Sequence, residues 1–451
     1  MTNVDRIAVP FAGHGAGEGP LTWGQQELWE AMRHRGRWLP IGAVSPLPDG
    51  TTVDDAVADL RFVMDNYPSL RTRLRFDGDQ VRQVVAASGE VTLQIVEAAD
   101  DADPAEVAQE VFARYESDDY DYVSQWPVRM AVVRHRGVLT HRIWVMCHLV
   151  ADGSAAVVML RELAARDASG SRSAPTALEL ASWQGSPAGQ RQCRAALAHW
   201  ERILRTMPER MFPPREPVPA GPRYWRATFD SPALYLAARI LGERTGTELA
   251  SVLLALFVVS TTRVLPLNPV LVQLVVNNRF RPRFADVVSP IIQAGLFEFV
   301  VPDATVDSVI RQVRQRAMVA YKYSYCDPAR RSALISQVSK ERGMDVDTEC
   351  GFNDRRLTVR QFDGELPTAD QLRPAVARSA FRWVEKQDQE PYAQLYLNID
   401  DVPDTVHLTV TTDTHYLVPD DVEMCVRGME QIAVAAALDP SERTGPRRAM
   451  R

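Results

Sequence analysis

The chain has 451 residues, 46% hydrophobic and 24% charged, which are the proportions of an ordinary globular protein and exclude a disordered one. That length exceeds a single core, so two lobes are expected, each large enough to bury its own interior. A net charge of -7, from 51 basic and 58 acidic residues spread along the chain, gives no electrostatic ground for a nucleic-acid or membrane surface.

Ile7 to Phe11 reads as a short strand, followed by Gly13-His14-Gly15-Ala16-Gly17-Glu18-Gly19. These glycines alternate as GxGxG, without the GxGxxG spacing or the Lys-Ser/Thr end of a phosphate-binding loop, so a flexible loop is expected. Thr22 caps a helix with Leu28, Trp29 and Met32 on one face. Thr52 and Asp55 resemble a capping box at the start of a second helix, striped by Val53, Val57, Leu60 and Met64 and stopped by Pro68. Residues 74–85 and 91–97 alternate as strands with turns at Gly78 and Gly89, and Asp103-Pro104 starts another helix. A strand from Val128 to Val133 turns at Arg136-Gly137 into a second, from Leu139 to Met146.

That second strand runs into Cys147-His148-Leu149-Val150-Ala151-Asp152-Gly153-Ser154, where the apolar spacing becomes helical through Val157, Val158, Leu160 and Leu163. The loop therefore joins a strand to a helix and presents His148 where the backbone turns. Imidazole suits general-base work near neutrality, because its unperturbed pKa is about 6.5. Gly153 leaves room for a substrate at the first turn of the helix, and its amide is a candidate donor to an oxyanion. Asp152 is read as shaping the loop. Cys147 and His148 are neighbours in an extended segment and point to opposite faces, so a Cys–His dyad is not expected and Cys147 is assigned to the sheet.

Beyond the motif helix, Ser169 to Ser173 reads as a surface loop, and a helix through Trp200 follows. Met207 to Pro222 holds Pro208, Pro213, Pro214, Pro217, Pro219 and Pro222, a stiff connector. It divides the chain into lobes at 1–206 and 223–451, with 207–222 as the linker. The second half alternates strand and helix: a strand at Tyr224 to Phe229, helices near 232–243 and 247–262, and a strand at Val270 to Val276 closed by Asn277-Asn278-Arg279. Strands at Tyr392 to Asn398 and Val406 to Thr412 pair, and Pro419 to Ala437 is a final helix. This is an α/β architecture in each half. His407 and His415 have no motif beside them and are given structural or solvent-facing roles. Arg279 to Arg283 is read as a short structural spot and Arg447 to Arg451 as a frayed tail.

Five cysteines, an odd number without CxxC spacing, indicate neither a disulfide framework nor a zinc site and fit a reducing cytoplasm. The N-terminus lacks the pattern of a secretory signal, and the most apolar run, Leu249 to Val259, is too short to span a bilayer.

Met146-Cys147-His148-Leu149-Val150-Ala151-Asp152-Gly153 resembles the HHxxxDG motif of nonribosomal peptide synthetase condensation domains, in the chloramphenicol acetyltransferase-like superfamily, with Cys147 in place of the first His. Thr22 to Trp29 is similar to the family's opening motif. Leu70-Arg71-Thr72 matches the core of RHExLRTxF, without its leading Arg-His-Glu. Asn278-Arg279 stands where the family often carries an Asn-Arg or Gly-Arg pair. Ser289 to Val301 has the hydrophobic profile of IGxFVNTxxxR but lacks its Asn, and the later HQDLPFE-like and RDxSRNPL-like motifs are missing.

The resemblance implies two chloramphenicol acetyltransferase-like lobes forming a V-shaped pseudo-dimer, with His148 in a central tunnel. It also implies a freestanding, cytoplasmic, monomeric enzyme that joins an acyl thioester to a small-molecule amine or alcohol. The thioester is delivered on the phosphopantetheine arm of an acyl or peptidyl carrier protein, and no cofactor or metal is held by the enzyme itself. Arg71 is the candidate partner of a buried Asp152, which would be costly without one, and Arg279 is the second candidate, expected to brace the active-site loop from the other lobe. The alternative is a catalytically silent condensation-fold protein that docks a carrier and recruits a partner enzyme. An acyl-coenzyme-A-dependent transferase is disfavoured because no DFGWG element is present.

Overall fold

The computed structural model describes residues 4–208, 210–356, 365–388 and 393–445. Tyr392 and Arg447 to Arg451 lie outside the described residues. Two compact units divide the chain, and the first is discontinuous: Met1–Arg191 together with Asn277–Ile292. A division at the Pro-rich stretch would place residues 277–292 with the second half of the chain, yet they pack with the first.

The first unit holds β1 (Val4–Ala12), β2 (Gly17–Pro20), β3 (Pro40–Pro46), β4 (Thr72–Asp77), β5 (Gln80–Val85), β6 (Ser88–Ala98), β7 (Val128–His135) and β8 (Val138–Cys147). Its helices are α1 (Trp23–Arg35), α2 (Val53–Asn66), α3 (Pro104–Ser117), α4 (Gly153–Ala165), α5 (Ser169–Ser173) and α6 (Ala177–Gly185). A five-stranded sheet runs β1-β6-β7-β8-β3, and β2-β5-β4 form a small second sheet.

Local chemistry sets the boundaries. Thr22 with Gln25 and Thr52 with Asp55 form reciprocal capping boxes at α1 and α2. Pro68, which resists following an α-helical residue, leaves Tyr67 extended and ends α2. Arg136 (φ 52°) and Gly137 (φ 80°) are both left-handed, the backbone that closes a two-residue hairpin between β7 and β8.

Alternation then sorts the core. Met130, Val132 and Met146 face one layer with Leu60 of α2 and Met159 of α4. Ala131, Val133, Val145 and Cys147 face the other, with Met32 of α1 and Val111 of α3. The sheet is thus covered on both sides, with a one-residue change of parity separating the layers.

Three local expectations are corrected. Gly89 lies inside β6, where an added Cβ would come within 2.8 Å of the Phe11 and Trp126 rings, so the glycine serves packing and not a turn. Ser169–Ser173 is a short helix, because the Ser171 amide and hydroxyl both donate to buried Glu162 (2.8 and 2.6 Å). In the glycine-rich stretch, residues 17–20 form β2 instead of continuing the loop.

The second unit, Gln192–Val276 with Gln293–Arg451, begins within α7 (Pro187–Thr206). It holds β9 (Tyr224–Ser231), β10 (Val270–Val276), β11 (Gln293–Phe299), β12 (Cys350–Asp354), β13 (Ala380–Gln387), β14 (Leu395–Asp400) and β15 (Val406–Asp413). These form one mixed sheet in the order β11-β10-β12-β14-β15-β9-β13. Its helices are α8 (Pro232–Thr245), α9 (Leu249–Val264), α10 (Val306–Lys322), α11 (Pro328–Arg342), α12 (Ala369–Val376) and α13 (Pro419–Leu438). Every residue of α9 from Ser251 to Thr262 is buried, which explains its apolar composition. Among the described residues no single helix is long and apolar enough to cross a membrane.

Candidate active site

Strand pairing carries the backbone as far as the motif histidine. Cys147 N–H donates to Pro127 O (2.9 Å), and His148 N–H donates to Leu39 O (2.8 Å). Only then does Val150 N–H donate to Cys147 O (3.1 Å) and close a turn. His148 is half-buried, and its Nδ1 lies 2.9 Å from Ala151 O. A carbonyl oxygen can only accept, so Nδ1 carries the proton and Nε2 keeps its lone pair. Burial holds the imidazole pKa below its ordinary 6.5, and the Asp152 carboxylate and backbone hydrogen bonds offset only part of that. At neutral pH the ring is a neutral base with a defined tautomer.

Cys147 occupies the opposite layer. It is buried, and desolvation pushes its thiol up to about 12, so it is neither a thiolate nor a neighbour of the imidazole face.

Asp152 ends the loop and caps α4: its Oδ1 accepts from Ala155 N–H (2.8 Å). Gly153 is the first residue of α4, and the leading amides of a helix have no acceptor within it, so this end carries positive partial charge. The Asp152 side chain is fully buried and paired. Arg279 approaches both carboxylate oxygens, Nη1 to Oδ2 and Nη2 to Oδ1, each at 2.9 Å. Ile291 N–H donates to Oδ2 as well (3.1 Å). Arg279 Nη2 also donates to Val287 O (2.9 Å) and Ser289 O (3.2 Å), so the guanidinium ties its own segment together.

Arg71 does not pair with Asp152. It is fully buried, and its two Nη groups donate to the carbonyls of Gly13 (3.2 Å), His14 and Ala86, which leaves no fork for the carboxylate. It pins the glycine-rich loop instead. Burial depresses its pKa, opposed by Asp65.

The motif residues His148, Asp152 and Gly153 thus come together with Arg279, while Arg71 belongs to another network. Sequence reasoning missed the Ile291 amide, which no side-chain pattern reveals, and placed Asn278 beside Arg279 without giving it a role. Asn278 is fully buried at φ 59°, with Nδ2 donating to Ile291 O (2.9 Å). Its signal was available in kind, since asparagine tolerates the left-handed region. In the second unit His407 Nδ1 lies 2.6 Å from Asp230 Oδ1, and the His415 amide donates to Asp413. Among the described residues no cluster of three or more His, Cys, Asp or Glu side chains could hold a metal ion.

A neutral imidazole on a strand-to-helix loop, beside the positive end of the helix, is an arrangement suited to general-base acyl transfer. The chain belongs to the condensation-domain family, whose model matches residues 50–345. Solved structures agree at the level of the fold. A condensation domain that mediates chain release from the enacyloxin polyketide synthase is 19% identical, with TM-score 0.72, over 95% of this chain and 84% of that one. The condensation domain of the monacolin K polyketide synthase is 15% identical, with TM-score 0.71, over 95% and 99%. The X-domain from teicoplanin biosynthesis is 17% identical, with TM-score 0.68, over 96% and 98%. No curated protein sequence matches the chain.

Proposed function

We propose that this protein is an acyltransferase of the condensation type, joining an acyl thioester on the phosphopantetheine arm of a carrier protein to an amine or hydroxyl acceptor. The observation that carries this reading is the 2.9 Å contact between His148 Nδ1 and Ala151 O, which leaves Nε2 as a base. The acceptor's N–H or O–H gives its proton to Nε2 while its lone pair attacks the thioester carbonyl carbon. The carbonyl π electrons move onto oxygen. That oxyanion lies at the start of α4, where the Gly153 amide and the helix dipole oppose its charge, an effect of roughly 3 to 4 kcal/mol for one donor. Collapse of the intermediate breaks the C–S bond, and the imidazolium returns its proton to the departing sulfur. The products are an amide or ester and the free thiol on the carrier.

The helix end and the depressed pKa act together. A ring that resists protonation stays available to take the acceptor's proton, and the same positive end that disfavours imidazolium favours the oxyanion. The test is an intact-mass assay with phosphopantetheine-loaded carrier proteins and a panel of amines and alcohols. Loss of the acyl group from the carrier with appearance of acylated acceptor is expected for the native chain and not for His148→Ala. Equal product from both would end the base assignment.

A second reading is favoured by Cys147, which replaces the first motif His and is buried. In it the protein docks a carrier and recruits a partner enzyme without catalysis; among the similar solved structures, one is a complex of the X-domain and OxyB from teicoplanin biosynthesis. No product with any carrier, together with carrier binding, would favour it.

A further inference from the structure

We infer that Asn278 is a positioning residue for His148, acting through the Ile291 strut on the Asp152 carboxylate. Asn278 is fully buried and left-handed, and its side-chain amide donates to Ile291 O at 2.9 Å. Ile291 in turn donates its N–H to Asp152 Oδ2 at 3.1 Å. The same peptide segment is therefore gripped at its carbonyl by Asn278 and delivers its amide to the carboxylate. Asp152 is one bond from Ala151, whose carbonyl fixes the tautomer of His148. Three consecutive contacts thus run from Asn278 to the imidazole.

Arg279 alone does not do this work. Its fork neutralises the carboxylate, but both Nη groups are held by their own segment as well, through Val287 O, Ser289 O and Asn277 O. If the 277–292 segment drifts, the arginine drifts with it. Asn278 closes that segment across thirteen residues, from 278 to 291, and so sets where the Arg279 fork and the Ile291 amide arrive. Its left-handed φ also directs the chain into Arg279, a geometry that glycine shares and alanine resists. The two roles of the residue, backbone and amide, are therefore separable by substitution.

The proposal rests on the reading of His148 as the base, so the test includes a signal that does not need turnover. Histidine-labelled 15N spectra report the tautomer and pKa of His148, assigned among eight histidines by its loss in His148→Gln. The native chain is expected to show the Nδ1–H tautomer. Asn278→Gly keeps the backbone and Asn278→Asp keeps the shape, but neither donates to Ile291 O. Asn278→Gly is expected to melt close to the native chain and Asn278→Asp, which puts a carboxylate at a fully buried position, to melt lower; both are expected to mix tautomers and to raise the pKa of His148 as water reaches the loop. In the carrier assay kcat is expected to fall about 10- to 100-fold with KM within about 2-fold, since misalignment of a base costs rate more than binding. Native tautomer and native kcat in both variants would overturn the positioning role. An ordered Nδ1–H tautomer in a native chain that forms no product would instead sink the acyl-transfer reading and leave the positioning intact.

Discussion

At the level of single residues, the histidine's microenvironment makes sign-definite predictions. His148 protonates more readily in the unfolded chain than in the folded one, because burial depresses its folded-state pKa. Its neutral form therefore favours folding above about pH 6.5, and that contribution is lost progressively as pH falls from there through the folded-state value. The melting temperature of the native chain should drop more steeply over that window than that of His148→Gln, which has nothing to protonate. For the same reason the acid limb of kcat/KM should have its midpoint below 6.5; a midpoint at or above it would contradict the depressed pKa. His148→Ala should fold and lose on the order of 100- to 10,000-fold in product formation. Asp152→Ala should lose soluble protein too, since it strips the cap from α4 and leaves the Arg279 guanidinium buried without its counterion, a change that commonly costs about 3–5 kcal/mol.

Among the elements, the packing of α1 against residues 290–291 is as consequential as any charge. Gly24 in α1 sits so close that a Cβ would run into Pro290 O and press on Ile291, the residue whose amide reaches Asp152. Gly24→Ala is expected to cost about 1–3 kcal/mol and to lower kcat, read by thermal melting and by the carrier assay; a variant with native stability would refute the close approach. Elements formed by local chemistry were readable in the sequence. Thr22, Thr52 and Asp103 announced their helices, and Arg136-Gly137 announced the hairpin that delivers His148, because caps and left-handed turns act over a few residues. What failed was decided by distant partners. Gly89 looks like a turn until the rings of Phe11 and Trp126 are seen over it, and Ser169–Ser173 looks like a loop until Glu162 reaches it. The choice between Arg71 and Arg279 for Asp152 was likewise invisible, since both lie far along the chain and only three-dimensional packing shows whose donors are already engaged.

For the molecule as a whole, the five cysteines are all free and buried. The native protein should therefore resist a thiol reagent that reacts with five groups once the chain is denatured, and fast labelling of any one would indicate local opening at that site. The family was legible from the motif order, whereas the membership of each compact unit was not, because contact and not sequence continuity defines it. The discontinuity has a consequence for biogenesis. Asp152 and Arg279 are 127 residues apart, so at ordinary ribosomal speed the carboxylate emerges on the order of ten seconds before its arginine partner exists. During translation the nascent chain holds an acid that cannot yet be buried at tolerable cost, and the histidine loop has no reason to settle. Maturation of the histidine loop must wait for the strand turn after Val276 to leave the exit tunnel, which makes that interval the window in which a chaperone, or a slow stretch of codons, would matter most.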